Sequence, residues 1–229
     1  MDFSIIFGNL DIYMEGLKNT VILVSVSLFI GLIFAVPLAA ILQTTKNILI
    51  SGPIKGYIYF FRGTPMLVQM FLIYYGLGQF ESVKTSFLWV FFKEAYFCAL
   101  FAFVLNTCAY TTEIIRGAVE NTPYGEIEAA KAAGMSAFLR LRRIILPSAF
   151  RRALPSYSNE IIFMLHGSSL ASVITIVDIT GAARIINSRF YSPYEAFLTA
   201  AFFYMAITFL IVWLVKNLES KWFAHLRRG

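Results

Sequence analysis

The sequence of 229 residues carries little charge: only 14% of its residues are charged, whereas 59% are hydrophobic. Soluble domains contain about 25% charged residues, so this composition argues against a soluble domain and indicates a protein in contact with lipid. The net charge of +6 does not indicate nucleic-acid binding, because the basic residues fall between apolar runs, as they do in membrane proteins. The sequence therefore predicts an all-α integral membrane protein with no nucleic-acid partner.

Cysteine and histidine are scarce, with two residues of each type. Cys98 and Cys108 lie in one apolar run at a spacing that fits no zinc pattern, so we interpret them as packing residues. No nucleophile–base pair, no set of metal ligands and no G-x-x-x-x-G-K-[ST] phosphate loop is visible. We therefore expect no catalytic residue, no metal site and no cofactor in this chain.

Long uncharged runs are present instead. Val21–Leu42 contains no charged residue, and a helix needs about 20 residues to cross the bilayer core. In a second run a Thr–Pro pair is typical of a helix start, so we expect a helix from Pro65 and an aromatic stretch, Tyr57–Phe61, near the membrane interface. With three further runs, the sequence predicts five transmembrane helices, at about residues 21–43, 65–80, 95–119, 153–177 and 196–216.

The distribution of lysine and arginine predicts the orientation. With a cytoplasmic C-terminus, 14 of the 19 Lys and Arg residues belong to cytoplasmic segments. Because positive residues favour the cytoplasmic side, we predict a multi-pass protein with its N-terminus outside and its C-terminus in the cytoplasm. No internal repeat is visible, so residues 1–229 are predicted to form a single transmembrane domain with a cytoplasmic loop over about residues 120–148.

This cytoplasmic loop has the local chemistry of two short helices joined by a turn. Glu126–Ala133 is rich in strong helix formers, and Gly134 suits the left-handed residue that ends a helix. Ser136 can cap a second helix over Ala137–Leu146, with Pro147 after its end. Composition alone favours a basic helix lying on anionic headgroups, while a helix in the groove of a soluble partner is the alternative.

The spacing within the loop resembles the EAA loop of bacterial ATP-binding-cassette import permeases. Every fixed position of that motif is filled here, by Glu128, Ala129, Ala130, Gly134, Ile144, Leu146 and Pro147. Three further stretches resemble the membrane subunits of polar amino-acid importers, closest to the histidine/lysine/arginine/ornithine, arginine and opine systems: Phe61–Gln69, Asn106–Glu113 and Leu154–Glu160. The chain departs from that group at His166, where many of these permeases carry lysine.

The resemblance implies a type I importer permease fold in the bacterial inner membrane, acting on polar, basic amino acids or opines. It implies a second, similar permease subunit, with a heterodimer favoured, and two ATPase subunits that bind ATP and Mg²⁺. It also implies a periplasmic or lipid-anchored solute-binding protein that delivers the cargo. The loop over residues 120–148 would then transmit ATPase motion to the membrane helices.

Glu160 is the one charged residue within the fourth predicted span. A carboxylate near a helix centre costs about 2.5–3.5 kcal/mol on insertion scales, so it should face a cavity or a partner. It could attract a cationic cargo, or form a structural ion pair with a neighbouring subunit or with one of three arginines: Arg116, Arg151 or Arg152.

Three other polar residues complete the candidate path. Asn159 and Tyr157 share a helical turn with Glu160, and Glu113 lies at the end of the third predicted span. Buried amides and phenols also serve simply to bond neighbouring membrane helices, so a packing role is the alternative for these residues.

A self-sufficient secondary transporter or channel is the competing functional class. Such proteins usually show paired repeats or broken helices at matching positions in two halves, and neither pattern is visible here. A purely structural membrane scaffold would not need a long cytoplasmic loop with this spacing. The sequence therefore favours a non-catalytic transport subunit.

Overall fold

The structure is a computed structural model that describes residues 3–222, and within that range it contains helices and no strand. The helices are α1 (Ser4–Phe7), α2 (Leu10–Thr44), α3 (Ile48–Gly63), α4 (Met66–Phe71), α5 (Glu81–Lys84), α6 (Trp89–Phe92), α7 (Ala95–Glu120), α8 (Tyr124–Ala132), α9 (Ala137–Arg140), α10 (Leu146–Gly167), α11 (Ile179–Phe190) and α12 (Pro193–Trp222). The predicted all-α class is confirmed.

Three helices within residues 3–222 are long and apolar enough to cross a membrane: α2, α7 and α12. A fourth candidate is the helical segment Ala137–Ile174 together with α11, bent by 45°. Both α2 and α12 extend beyond the predicted limits 21–43 and 196–216. Apolar runs mark only the bilayer core, whereas helical hydrogen bonds can continue through the headgroup region.

The second predicted span differs most from expectation. The stretch Tyr57–Phe61, predicted near the interface, lies inside the 16-residue helix α3. Helix α4 begins after Pro65, as predicted, and continues through a π turn, Leu72–Gly76, and a 3₁₀ turn to Gln79. Thr64 is extended, with φ −115° and ψ 146°, because a proline disfavours helical backbone in the residue before it. The predicted helix is therefore present over residues 66–79, and a further helix, α3, precedes it where an interfacial stretch was predicted.

Small residues bring α2 and α7 close together along the most extensive helix contact of the fold. A Cβ atom added to Gly31 of α2 would lie 2.5 Å from Cγ2 of Thr107 on α7. A Cβ atom added to Gly16 would lie 2.6 Å from the carbonyl oxygen of Asp178. Glycine lets membrane helices approach this closely, so these two contacts fix where the elements of the bundle meet.

A buried carboxyl group organises the turn between α10 and α11. Asp178 is fully buried; its Oδ1 accepts a hydrogen bond from Gly181 N (2.7 Å) and its Oδ2 accepts one from the Tyr204 hydroxyl (3.0 Å). The N–H of Ile179 donates to Oγ1 of Thr20 at 3.2 Å. These bonds cap the start of α11 and join it to α2 and α12.

Replacing Gly16 by alanine tests the close approach of α2 to the turn at Asp178. The new methyl group would meet backbone atoms, which cannot move aside as a side chain can, and such overpacking costs about 1–3 kcal/mol. We expect Gly16→Ala to lower the thermal unfolding midpoint of the purified protein. Gly117→Ala is the matched control, because nothing lies within 4 Å of its added Cβ; an equal midpoint for both variants would contradict the prediction.

Candidate functional site

The loop predicted to be cytoplasmic forms an elbow, defined here as α8, the turn at Gly134 and α9. Helix α8 ends with two characteristic bonds, from Met135 N to Ala130 O (3.1 Å) and from Gly134 N to Lys131 O (2.9 Å). Gly134 has a φ of +71°. This is the Schellman arrangement, which ends a helix at a left-handed glycine, so the predicted conformation of Gly134 is confirmed.

The second arm of the elbow begins as predicted but ends differently. Oγ of Ser136 accepts a hydrogen bond from Leu139 N (3.3 Å) and caps α9. The prediction that this helix stops before Pro147 is wrong: α9 continues through a π turn, Leu141–Ile145, directly into α10. In a π turn the hydrogen bonds join residues i and i+5. The regular i→i+4 pattern is therefore already interrupted just before Pro147, so the missing N–H of the proline does not end the helix.

The fixed positions of the EAA spacing divide between surface and interior. Glu128, Ala129 and Pro147 are exposed, Ala130 is buried, and the remaining two aliphatic positions, Ile144 and Leu146, are half-buried. A groove of about 500 Å³ lies between α8 and the start of α10. It is lined among others by Ala129, Ala130, Met135, Ile144 and Pro147. At the bend, Phe138 is 71% exposed, so the elbow presents an apolar side chain and a concave surface.

Arg152 ties the base of the elbow to the end of α7. Its guanidinium donates to the carbonyl oxygen of Ala118 (3.1 and 3.2 Å), to Oγ1 of Thr122 (2.8 Å) and to Oγ of Ser148 (2.6 Å). The guanidinium therefore binds these three residues and not Glu160. The elbow and the membrane helices are linked through this side chain as well as through the backbone.

Glu160 lies in the interior of the bundle and is 5% exposed. Its carboxyl group lies near the Thr107 hydroxyl, which is buried and has no hydrogen-bond partner among the described residues. The Arg62 guanidinium and the Tyr157 phenol lie within its electrostatic reach. Within residues 3–222 it forms no ion pair: Arg116 binds Glu113 and Glu120 instead.

The other candidate path residues occupy two different places. Asn159 is exposed, on a stripe of α10 that it shares with Phe163 and His166; Oγ1 of Thr208 lies 3.4 Å from Nε2 of His166. Glu113 accepts a hydrogen bond from Nε of Arg116 at 2.9 Å. The structure therefore groups Glu160 with Tyr157 and places Asn159 and Glu113 elsewhere.

A cleft of about 550 Å³ between α3 and α7 contains Glu113 and three basic side chains: Lys55, Arg62 and Arg116. The Arg62 guanidinium lies 5.3 Å from the centroid of the Tyr110 ring, a cation–π distance. In the sequence, Arg62 was counted as a cytoplasmic charge and belonged to the stretch Phe61–Gln69, but no site role was predicted for it or for Thr107. The sequence Gly63-Thr64-Pro65 beside Arg62 was the signal from which a helix break next to this residue could have been predicted.

Comparison with known proteins identifies the family. A family profile described as binding-protein-dependent transport system inner membrane component matches residues 21–223. The chain belongs to this family. As an inner membrane component it is a permease subunit, and the sequence-based resemblance is confirmed.

Two relatives match this inner membrane component over nearly their whole length. The nopaline transport system permease protein NocM of Agrobacterium fabrum is 46% identical over 228 residues, which cover 99% of this chain and 94% of NocM. The histidine/lysine/arginine/ornithine transport system permease protein HisM of Escherichia coli K12 is 45% identical over 213 residues, covering 93% and 89% of the two chains.

The fold of this permease subunit also has solved counterparts. A chain of an amino acid ABC transporter crystallised with histidines superposes with a TM-score of 0.85 at 30% identity, covering 96% of this chain and 99% of that one. The MetNI methionine ABC transporter gives a TM-score of 0.72 at 14% identity, which shows a shared fold only. The architecture is therefore that of type I ABC permeases.

Replacing Arg152 by methionine tests the link between the elbow and α7. The change leaves the Ala118 carbonyl and the Thr122 hydroxyl without their donor, and such losses cost about 1–3 kcal/mol. We expect Arg152→Met to lower the thermal unfolding midpoint and to speed proteolysis of the elbow. Arg151→Met, at the exposed neighbouring position, is the control, and similar behaviour of both variants would refute the assignment.

Proposed function

We propose that this permease subunit forms, with a second and similar permease subunit, the path by which basic amino acids or opines enter a bacterial cell. The similarity to NocM and HisM over nearly the whole chain carries this proposal, because the names of both relatives describe transport of such compounds. The chain carries no phosphate-binding loop, so ATP and Mg²⁺ would be bound by two separate ATPase subunits. A solute-binding protein would deliver the cargo from outside.

We assign five membrane crossings to the chain. Helices α2, α7 and α12 are three of them, and α10 with its 3₁₀ extension is the fourth. The remaining crossing is α3 and α4 taken together as one broken helix. Helices α2 and α7 run parallel, because the first half of α2 packs with the first half of α7 and the second half with the second, so the chain must return across the membrane between them. The excess of lysine and arginine in the segments that follow α2 and α7 supports an outside N-terminus and a cytoplasmic C-terminus.

The elbow is proposed as the contact with the ATPase. An exposed Phe138 at the bend suits an apolar groove on a soluble partner, and the Schellman turn gives the elbow a defined angle. The residues assigned to this contact and to its transmission are Glu128, Ala129, Ala130, Gly134, Ile144, Leu146 and Pro147. Because α9 continues into α10, motion of the elbow would reach the membrane directly.

The exposed stripe of α10 is proposed to face the second permease subunit across the path. An amide such as Asn159, exposed at membrane depth, is unfavourable against lipid and favourable against water or a polar partner. Glu160 and Tyr157 lie on the inner side of the same helix and would attract a cationic cargo from there. We favour a heterodimer of two permease subunits, by analogy with the related systems.

Gly134→Pro tests the coupling role of the elbow. Proline cannot adopt a φ of +71° and lacks the N–H that bonds to Lys131 O, so the turn cannot form. We expect co-purification of the ATPase and ATP-driven uptake to fall at least about tenfold, or about 1.4 kcal/mol. Gly125→Ala in α8, where the added Cβ meets nothing within 4 Å, should behave as the unmodified subunit; normal uptake by Gly134→Pro would rule the role out.

Glu160→Gln tests the attraction of a cationic cargo. The neutral amide keeps the size of the carboxyl group and removes its charge, so assembly should be preserved. We expect uptake of a basic amino acid by reconstituted vesicles to fall by about tenfold, equivalent to about 1.4 kcal/mol. Glu81→Gln, at an exposed position, serves as control; unchanged uptake by the Glu160 variant would show that the charge has no part in transport.

A further inference from the structure

The break between α3 and α4 leaves several backbone carbonyl groups without their helical partners. Pro65 has no N–H, so the carbonyl oxygen of Phe61, four residues earlier, cannot receive the usual helical bond. The carbonyl oxygen of Thr64 is also freed, because Val68 N donates to Pro65 O instead. Within a membrane each unmade backbone hydrogen bond costs several kcal/mol, so these oxygens need other donors.

Two buried side-chain amides, Gln69 and Asn106, supply those donors; we call this pair the amide clamp. Nε2 of Gln69 lies 2.8 Å from Phe61 O, 2.9 Å from Thr64 O and 2.8 Å from Thr64 Oγ1. Nδ2 of Asn106 lies 3.3 Å from Phe61 O and donates to Oε1 of Gln69 at 2.9 Å. The two amides are 2% and 8% exposed, so the clamp replaces the bonds that the proline removes.

The clamp determines where Arg62 stands. Arg62 lies in the last turn of α3, beside the break. Its carbonyl oxygen accepts a bond from the Tyr110 hydroxyl (3.4 Å), and its guanidinium lies over the Tyr110 ring. Tyr110 precedes the end of α7 by ten residues, or about 15 Å at 1.5 Å per residue. A cation at this depth must face water or a partner, and within residues 3–222 Arg62 forms no ion pair. The carboxyl groups of Glu113 and Glu160 both lie within its electrostatic reach.

We propose that Gln69 and Asn106 are positioning residues: their amides hold the helix open at Pro65 and thereby keep the Arg62 guanidinium in the cleft between α3 and α7, beside Glu113 and within electrostatic reach of Glu160. A continuous helix through position 65 would turn Arg62 away from Tyr110. The proposal deepens the proposed transport function and rests on it, because Arg62 then sets the charge along the path. A clamp that serves stability alone is the competing explanation.

A double-mutant cycle separates the two explanations, with the complete transporter reconstituted in vesicles. Gln69→Leu removes the main donor and should lower the thermal midpoint. Pro65→Ala restores an N–H that can reach Phe61 O once the helix straightens. We therefore expect the double variant Pro65→Ala/Gln69→Leu to recover most of the lost stability. Its ATP-driven uptake should stay at least about tenfold below the unmodified level, as should that of Pro65→Ala alone.

Arg62→Gln provides the matched functional comparison, because it removes the charge and leaves the clamp intact. We expect the same loss of uptake at an unchanged thermal midpoint. If Gln69→Leu does not assemble, Asn106→Ala, which removes a single donor, takes its place in the cycle.

Three results would overturn the proposal. Strictly additive stability effects would show that the clamp does not substitute for the missing N–H. Normal uptake by Pro65→Ala, or by Arg62→Gln, would show that the break or the guanidinium is not needed. Failure of the proposed function would look different, since the unmodified transporter would then take up no basic amino acid, while the stability cycle would still test the clamp.

Discussion

The fold depends above all on one constraint: within a membrane every backbone N–H and C=O must find a partner inside the protein. Helices α2, α7 and α12 meet it with their own hydrogen bonds. Where the chain leaves helical geometry, side chains take over: Gln69 and Asn106 at the break before α4, and Asp178 at the turn into α11. Both irregular places are packed against α2 or α7 and are therefore covered by protein.

The close packing of α2 and α7 makes this cover possible. Gly31 lets α2 approach α7 within contact distance, and Gly16 lets α2 approach the irregular turn at Asp178. The same two helices bring together the few polar groups of the interior. Thr107 on α7 lies beside Glu160 of α10, and the adjacent residue Asn106 bonds to the break between α3 and α4. The packed apolar helices α2 and α7 thus surround a small group of polar side chains.

Much of the structure could be predicted where the cause is local. Gly134, Ser136 and Pro65 each carry their conformational preference in their own chemistry, so the turn, the cap and the helix start could all be predicted. Helix α3 and the continuity through Pro147 could not, because a π turn and the bonds from distant side chains decide them. No site role could be predicted for Arg62 for the same reason: it contacts Tyr110, and the carbonyl group before it bonds to Asn106, both more than forty residues away in sequence.

The π turn before Pro147 has a mechanical consequence. Residues 137–174 form one uninterrupted helical rod, and from Phe138 to Glu160 its length is about 33 Å at 1.5 Å per residue. A π turn inserts one residue into the helical repeat, which rotates everything beyond it by about 100°. The direction in which the Phe138 side chain leaves the helix axis, relative to that of the Glu160 carboxyl group, therefore depends on the five residues of this π turn, Leu141–Ile145.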